Sequence, residues 1–495
     1  MRRRTAGAWA LAVLILCAPA WAEPGFGVAD DGGKYSDDGG AAFFSRLLGL
    51  GMTENRITVL WHADRPATIV ERGFLDRSLP QAAVRGVRVV FHDHPARATG
   101  IASRPGATEQ FARFVGLLAR RYPLVRDYIV GNEPNQPRFW RPQFDREGRG
   151  VSAAAYAALL ARSYDTLKAV DPTINVIGLG LSSRGNDSPW ARSNVSTSPV
   201  RFLRDLGRAY RSSGRSVPLM DELAFHPYPS SDGDSYQRGH PWPRAGVPNL
   251  ARVKQAVWDA FGGTAQPTFE EGLRLRVDEI GWQVGVVPTA QAAYHGRESV
   301  AVTSEADQAR NYAGLIERLG CDPSVSGVYL LGLTDDPDLE RFQSGLLRAD
   351  GSARPAYAAV RKAIRAVRSA CPRPISWRHT ERVLGARASF GRLRVAKPMA
   401  QTYWSFHLTA AEDASYRAAV VRVPLRHPLS LARPAAKPAV LVARGSLKAR
   451  WRPLVRFPAR RLAPGRYVYA VELRAAMNPA RTRVFVSRPF SVGTP

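Results

Sequence analysis

Two short runs carry the residues best suited to covalent chemistry: Gly131-Asn132-Glu133-Pro134-Asn135 and Asp278-Glu279-Ile280-Gly281-Trp282. Each sets a carboxylate, Glu133 or Glu279, at the end of a short apolar run. Two carboxylates facing each other are what cleavage of a glycosidic bond requires. One protonates the leaving oxygen, and the other attacks the anomeric carbon or activates water against it. Asp278 alternates with Glu279, so it is expected to point away from the mouth and to serve as a structural partner for a nearby Arg. His92-Asp93-His94 offers a competing chemistry, since His at i and i+2 share one strand face, as in metal-dependent barrel hydrolases. Those barrels want the pair on the first strand with later His and Asp ligands. Here it follows the third and no matching set appears, so the expectation is no metal and no cofactor, with one His contacting substrate and the other packing.

The elements that would position these residues are legible as alternation. Short apolar runs rich in Val, Ile, Leu and aromatics occur at Gly25–Ala29, Arg56–Trp61, Val87–His92, Asp127–Gly131, Val176–Leu181, Leu223–His226, Leu275–Ile280 and Val328–Leu333. Amphipathic segments lie between them. Phe111, Phe114, Val115 and Leu118 share one helical face, as do Tyr357, Val360, Ile364 and Val367. Ser304 and Asp307 stand at capping spacing, and Gly320 closes that helix. The pattern predicts a (β/α)8 TIM barrel over residues 23–371, with its functional residues at the C-terminal ends of the strands. Cys371-Pro372-Arg373-Pro374-Ile375 breaks it, and a linker is expected over 372–378. Short alternating strands at Ala418–Leu425, Ala439–Ala443, Leu454–Phe457, Tyr467–Leu473 and Thr482–Ser487 then predict a small all-β, Ig-like antiparallel sandwich over 379–495.

With these motifs in this order, residues 23–371 resemble the clan A retaining glycoside hydrolases, the group of cellulase-like, mannanase-like and xylosidase-like barrels. The resemblance implies Glu133 as general acid/base, Asn132 as partner of the sugar 2-hydroxyl and Glu279 as nucleophile. Arg56 resembles the second-strand Arg that supports the nucleophile. His94 resembles the His beyond the third strand, and His226 and Tyr228 the sixth-strand pair beside the nucleophile. The run Gly345-Leu346-Leu347-Arg348 and Asp350-Gly351 to Arg354-Pro355-Ala356-Tyr357 resembles the family's approach to its last helix. One departure is Leu333-Thr334-Asp335-Asp336, where many members place a Trp floor. A retaining pair should sit about 5–5.5 Å apart, and loss of Glu279's charge on glycosylation would switch Glu133 from acid to base. The implied activity is hydrolysis of a β-linked poly- or oligosaccharide. The alternatives are a catalytically inactive glycan-binding protein and, behind it, a metal-dependent hydrolase.

Sugars pack their C–H faces on aromatic rings. Candidates are Trp140, Phe139 and Phe144 after Glu133, Tyr236 and Trp242 after the sixth strand, Trp61 on the second, and Trp282 beside the nucleophile. Trp282 and Trp140 are taken as substrate-binding.

Residues 1–22 read as a secretory signal, with Arg2–Arg4, the apolar run Ala8–Leu16 and Ala20-Trp21-Ala22 before Glu23. The run is too short to span a membrane, so the mature chain is expected outside the cytoplasm. There Cys321 and Cys371 are expected to form a disulfide, with a catalytic thiol as the alternative. The barrel reading places both on the bottom face, opposite the mouth. The composition, 45% hydrophobic and 23% charged, excludes collagen-like, coiled-coil and disordered classes. The net charge of +28 is concentrated, because residues 376–495 carry 23 basic and 4 acidic residues. Export makes nucleic acid an improbable partner. The expectation is that residues 376–495 meet an anionic cell-envelope surface, or else are inert.

Overall fold

A computed structural model describes residues 23–371, 377–390, 394–396, 401–403, 405–423, 439–456 and 462–492. The signal-like segment 1–22 and linker residues 372–376 lie outside the described residues. No described helix is long and apolar enough to cross a membrane.

Eight parallel strands close on themselves: β1 (Gly25–Ala29), β2 (Glu54–Trp61), β3 (Arg88–Pro95), β4 (Asp127–Val130), β5 (Asn175–Ser182), β6 (Glu222–His226), β7 (Arg274–Ile280) and β8 (Val325–Leu331). β1 bonds both β2 and β8, so the sheet has no edge. The principal helices, in chain order, are α1 (Ala41–Leu50), α2 (Arg72–Val84), α3 (Ala107–Arg121), α4 (Ser152–Val170), α5 (Pro199–Ser212), α6 (Leu250–Phe261), α7 (Glu305–Gly320) and α8 (Pro355–Ser369). The predicted faces behave as expected: Phe111, Phe114, Val115 and Leu118 of α3 are buried, as are Val360, Ile364 and Val367 of α8. Each such side chain removed from water contributes roughly 1.5–3 kcal/mol. The Ser304 side chain accepts from the Asp307 amide at 3.1 Å, capping α7.

The barrel interior is layered, because strand residues two apart share a face. Near the bottom, Arg276 is buried between Glu54 and Glu222, each at 2.9 Å, with the Tyr329 hydroxyl alongside. Ala29, Val90, Ile129, Ile177, Ala224 and Tyr329 form an apolar group inside it. Two residues beyond Glu54, Val90, Ala224 and Arg276 come Arg56, His92, His226 and Asp278. The strand parity that builds the core therefore also delivers the polar layer of the mouth.

Cys321 and Cys371 are disulfide-bonded across 50 residues, between the end of α7 and the residues after α8. That is the bottom of the barrel, as expected.

The C-terminal strands are all antiparallel: β9 (Arg387–Phe390), β10 (Arg394–Ala396), β11 (Gln401–Tyr403), β12 (Ser405–Thr409), β13 (Ala414–Arg422), β14 (Ala439–Leu447), β15 (Leu454–Arg456), β16 (Gly465–Ala475), β17 (Thr482–Val486) and β18 (Phe490–Val492). The sheet β15-β12-β9 packs Phe406, Leu408 and Val455 against Ala418, Val420, Tyr467, Tyr469 and Val471 of the sheet β14-β13-β16-β17. The sandwich is docked on α6. Arg481 reaches Asp259 at 3.0 Å and Glu412 at 2.6 Å, while Gln255 bonds the Thr380 backbone and His379 stacks on Trp258.

Candidate active site

Glu133 and Glu279 enter the mouth from the ends of β4 and β7, tied together by a chain of side chains. The His226 ring places Nδ1 3.0 Å from Glu133 Oε1 and Nε2 3.1 Å from Asp278 Oδ2. Arg56 donates from Nη1 to Asp278 Oδ2 at 3.2 Å and from Nη2 to Glu279 Oε2 at 2.6 Å. The Tyr228 hydroxyl donates to Glu279 Oε1 at 2.8 Å. Each oxygen of Glu279 thus accepts one bond, which fixes its rotamer and favours its charged form.

Burial opposes the charge on Glu279, but His226, Arg56 and the Tyr228 bond outweigh it and hold its pKa below the usual carboxylate range. Asp278 is likewise held low: burial raises it, and His226 and Arg56 more than compensate. For His226 burial works against protonation, yet Asp278 and Glu279 prevail and raise it to about 10. The buried Asp278 and the partly buried Glu279 are matched by two buried cations, Arg56 and His226. His92 and His94 go the other way. Burial drives His92 well below its usual value and His94 to about 4, so both rings are neutral near pH 7.

Asp278 departs from expectation. It does partner an Arg, but it lies inside the barrel in register with Arg276 and beneath the mouth, not turned away from it. Glu279 is out of register with that inward set. The β7–β8 pairing is irregular between Val277 and Ile280, and this end of the strand brings Glu279 to Arg56 and Tyr228.

The β4 end is shaped by backbone. Glu133 has φ 38°, a left-handed value that non-glycine residues adopt at a cost of roughly 1–3 kcal/mol. Its amide is held by Gly180 O at 3.0 Å. At Gly131 (φ 87°) an added Cβ would come 2.7 Å from the Tyr156 ring. The buried Tyr156 hydroxyl accepts from the Leu179 amide at 2.6 Å and donates to Val130 O, joining β4 to β5 beside Glu133. Asn135 fastens the following loop, donating to the carbonyls of Ser182, Arg184 and Thr197 and accepting from the Ser182 amide. Sequence reasoning missed Tyr156 and Asn135. Their only signal was a Tyr on an apolar helix face and a second Asn after the Glu-Pro step.

The remaining candidates divide. Asn132 is buried at the mouth, and its Oδ1 has no partner among the described residues. His94 is partly buried, with Nδ1 3.0 Å from Pro95 O and its ring edge-on to Phe139. His92 packs inside, 3.1 Å from Gly131 O. Trp140 and Trp282 are not platforms. Trp140 is 4% exposed and edge-on to Tyr156, while Trp282 is fully buried against Tyr312 with its indole N–H on Asp234 O at 2.8 Å. Trp61 and Phe144 are buried too. Loop aromatics near a mouth are as useful for anchoring the loop as for touching a ligand, and here the apolar layer took them. The eighth-strand departure Asp335 is also structural, paired with Arg354 at 2.6 Å. Among the described residues no group of three or more His, Cys, Asp and Glu could hold a metal ion.

No protein-family model matches the sequence, and the search of curated proteins gives no match. Among solved structures, the chain is similar to a family 39 glycoside hydrolase from Bacteroides cellulosilyticus WH2, at 16% identity and TM-score 0.48, over 88% of this chain and 81% of that one. It is also similar to a monomeric beta-xylosidase from Caulobacter crescentus CB15, at 15% identity and TM-score 0.45, over 92% and 96%. A third, GH5_18 from Streptomyces cattleya, gives 18% identity and TM-score 0.47 over 72% and 83%. Likeness at this level adds nothing to the barrel that the strand order already defines.

Proposed function

We propose that the protein is a retaining glycoside hydrolase acting on a β-linked glycan, with Glu279 as nucleophile and Glu133 as acid/base. The observation that carries this reading is the grip on Glu279. Arg56 and Tyr228 each hold one of its oxygens, and His226 and Asp278 connect it to the second carboxylate. Glu279 is thereby kept ionised and aimed, as a nucleophile must be. Glu133, held to this cluster through His226, is positioned to give a proton to the leaving oxygen.

In the first step Glu279 attacks the anomeric carbon as Glu133 transfers its proton and the glycosidic C–O bond breaks. Formation of the ester removes the charge on Glu279. Glu133, now ionised beside His226, takes a proton from water, whose oxygen displaces Glu279 and restores both groups. Asn132 has a free acceptor for a sugar hydroxyl. Export by residues 1–22 and attachment of 376–495 to an anionic envelope surface complete the proposal. Secretion is tested by fractionating cells that express the full chain, and attachment by retention on envelope preparations with rising salt.

The decisive test is release of reducing sugar from a panel of β-glycans by the wild type and by Glu279→Gln, with a 2-deoxy-2-fluoro glycoside to trap the ester. An adduct on the Glu279 peptide and release by the wild type alone are expected. Equal inactivity of both would overturn the enzyme reading and leave a glycan-binding protein. Activity lost to a chelator would point to a metal-dependent hydrolase instead.

A further inference from the structure

The face on which the β4 end opens carries a concavity whose lining takes in Pro137, four residues past Glu133. A cleft of ≈ 660 Å³ opens among the loops that follow β3, β4 and β5, its lining including Ser103, Arg141, Phe144, Asp145, Arg192 and Asn194. The loops are fastened to one another and to the β4 end. The Arg141 amide bonds Ala98 O at 2.8 Å. Asn135 and Gln136, just past Glu133, both donate to Arg184 O, at 3.1 and 2.8 Å. The cleft walls are thus held in place by the same segment that positions the acid/base.

Its charges are unevenly satisfied. Asp145 is committed, accepting from Arg149 Nε at 2.7 Å and from the amides of Glu147 and Arg149. Arg141 spends only Nε, on Pro137 O at 2.7 Å, and Arg192 has no hydrogen bond or ion pair among the described residues. Neither Arg faces a carboxylate partner there, and both are exposed. Beside them stands Trp190, 76% exposed. Its ring lies over Gly148, where an added Cβ would come 2.8 Å from it. This indole was not singled out from the sequence, yet it offers the open aromatic face that Trp140 and Trp282 do not.

We propose that this cleft is an anion-reading subsite and that the substrate is a glycan bearing carboxylate or sulfate groups, its charged sugar meeting Arg141 and Arg192. The proposal rests on the glycosidase reading and narrows it to a substrate class. Guanidinium forks fit carboxylate and sulfate oxygens two at a time, and such charge-assisted bonds are roughly twice as strong as those to neutral hydroxyls. A chain of uncharged sugars gives the two arginines only the weaker kind.

The test compares oligosaccharides that differ only in charge: a β-1,4-mannuronate hexamer against β-1,4-mannohexaose, and a β-1,4-glucuronate hexamer and sulfated cellohexaose against cellohexaose. Binding is measured by calorimetry on Glu279→Gln, and kcat/KM on otherwise wild-type protein. The acidic member should bind at least ten times more tightly in low salt. The acidic-to-neutral ratio should fall at least tenfold in Arg141→Gln/Arg192→Gln and partly recover in the double Lys variant. The carboxylate and sulfate arms identify which anion is read. An acidic-to-neutral ratio that the double Gln variant leaves unchanged would overturn the subsite. Hydrolysis of neutral and acidic glycans alike would sink this proposal and keep the glycosidase. Charge-dependent binding without hydrolysis would do the reverse.

Discussion

His226 Nδ1 lies 3.0 Å from Glu133 Oε1, and the ring's other nitrogen rests 3.1 Å from Asp278. One imidazole therefore couples the orientation of Glu133 to that of a fully buried carboxylate beneath the mouth. Its raised pKa, about 10 against an ordinary 6.5, makes this coupling dependent on pH. The folded protein keeps His226 charged between pH 6.5 and 10, whereas the unfolded chain does not. The stability it contributes is complete below pH 6.5 and is lost as pH rises toward 10, by about 1.4 kcal/mol per unit across that window. Melting temperatures across pH 6–10 should show this slope in the wild type and a shallower one in His226→Gln. The same variant should lower kcat more than it raises KM, because Glu133 loses its orienting partner.

Asp278→Asn should be among the most destabilising changes at the site. It removes the charge that faces both His226 and Arg56 in a fully buried layer. Breaking a buried pair on one side costs about 3–5 kcal/mol, which chemical denaturation would read. A loss below about 1 kcal/mol would mean that water reaches the layer.

Asp93 offers the opposite case. Its carboxyl is buried, neither oxygen has a partner among the described residues, and burial lifts its pKa well above the usual range. The unfolded chain releases this proton near pH 4 and the folded one holds it, so stability falls as pH rises from there to the folded pKa. Asp93→Asn should remove that slope, with a gain in melting temperature larger at pH 8 than at pH 5.

Tyr156→Phe deletes a hydroxyl that satisfies the Leu179 amide and bonds Val130 O beneath Glu133. Leaving buried backbone groups unpaired costs about 1–3 kcal/mol. Activity should fall further than stability explains, because the left-handed Glu133 backbone depends on the neighbouring β4 and β5 ends.

Reduction of Cys321–Cys371 should lower the melting temperature and spare kcat. The bridge closes a 50-residue loop at the bottom of the barrel, and such a loop constrains the unfolded chain by about 4 kcal/mol. Cys321→Ser/Cys371→Ser with unchanged kcat excludes a catalytic thiol; an inactive but folded double variant would reinstate it.

The barrel was legible because its signals are local. Each strand is a short apolar run and each helix an amphipathic stripe, and β1 falls on the expected residues Gly25–Ala29. The strand ends pointed Glu133 and Glu279 to one mouth, and the family resemblance added Arg56, His226 and Tyr228, which the structure brings to the same cluster. The sandwich was half legible. Strands β13 to β17 were anticipated, but β9, β10, β11, β12 and β18 were missed, because three to five residues without clear alternation carry little periodic signal.

Three-dimensional packing decided what local pattern could not. Parity alone sent Asp278 away from the mouth and Glu279 toward it. The irregular end of β7 instead keeps Asp278 inside while Glu279 reaches Arg56, because pairing with β8 overrides strict alternation. Trp140 and Trp282 sat beside the two carboxylates in sequence, but the apolar layer behind the mouth claimed them. Trp190, far from both in sequence, was left open beside a cleft. The sequence by itself determined the fold class and the pair of carboxylates, since periodicity and strand ends are properties of neighbouring residues. Which aromatics and cations face a ligand depends on which other chain segments bury them, and only the tertiary structure decided that.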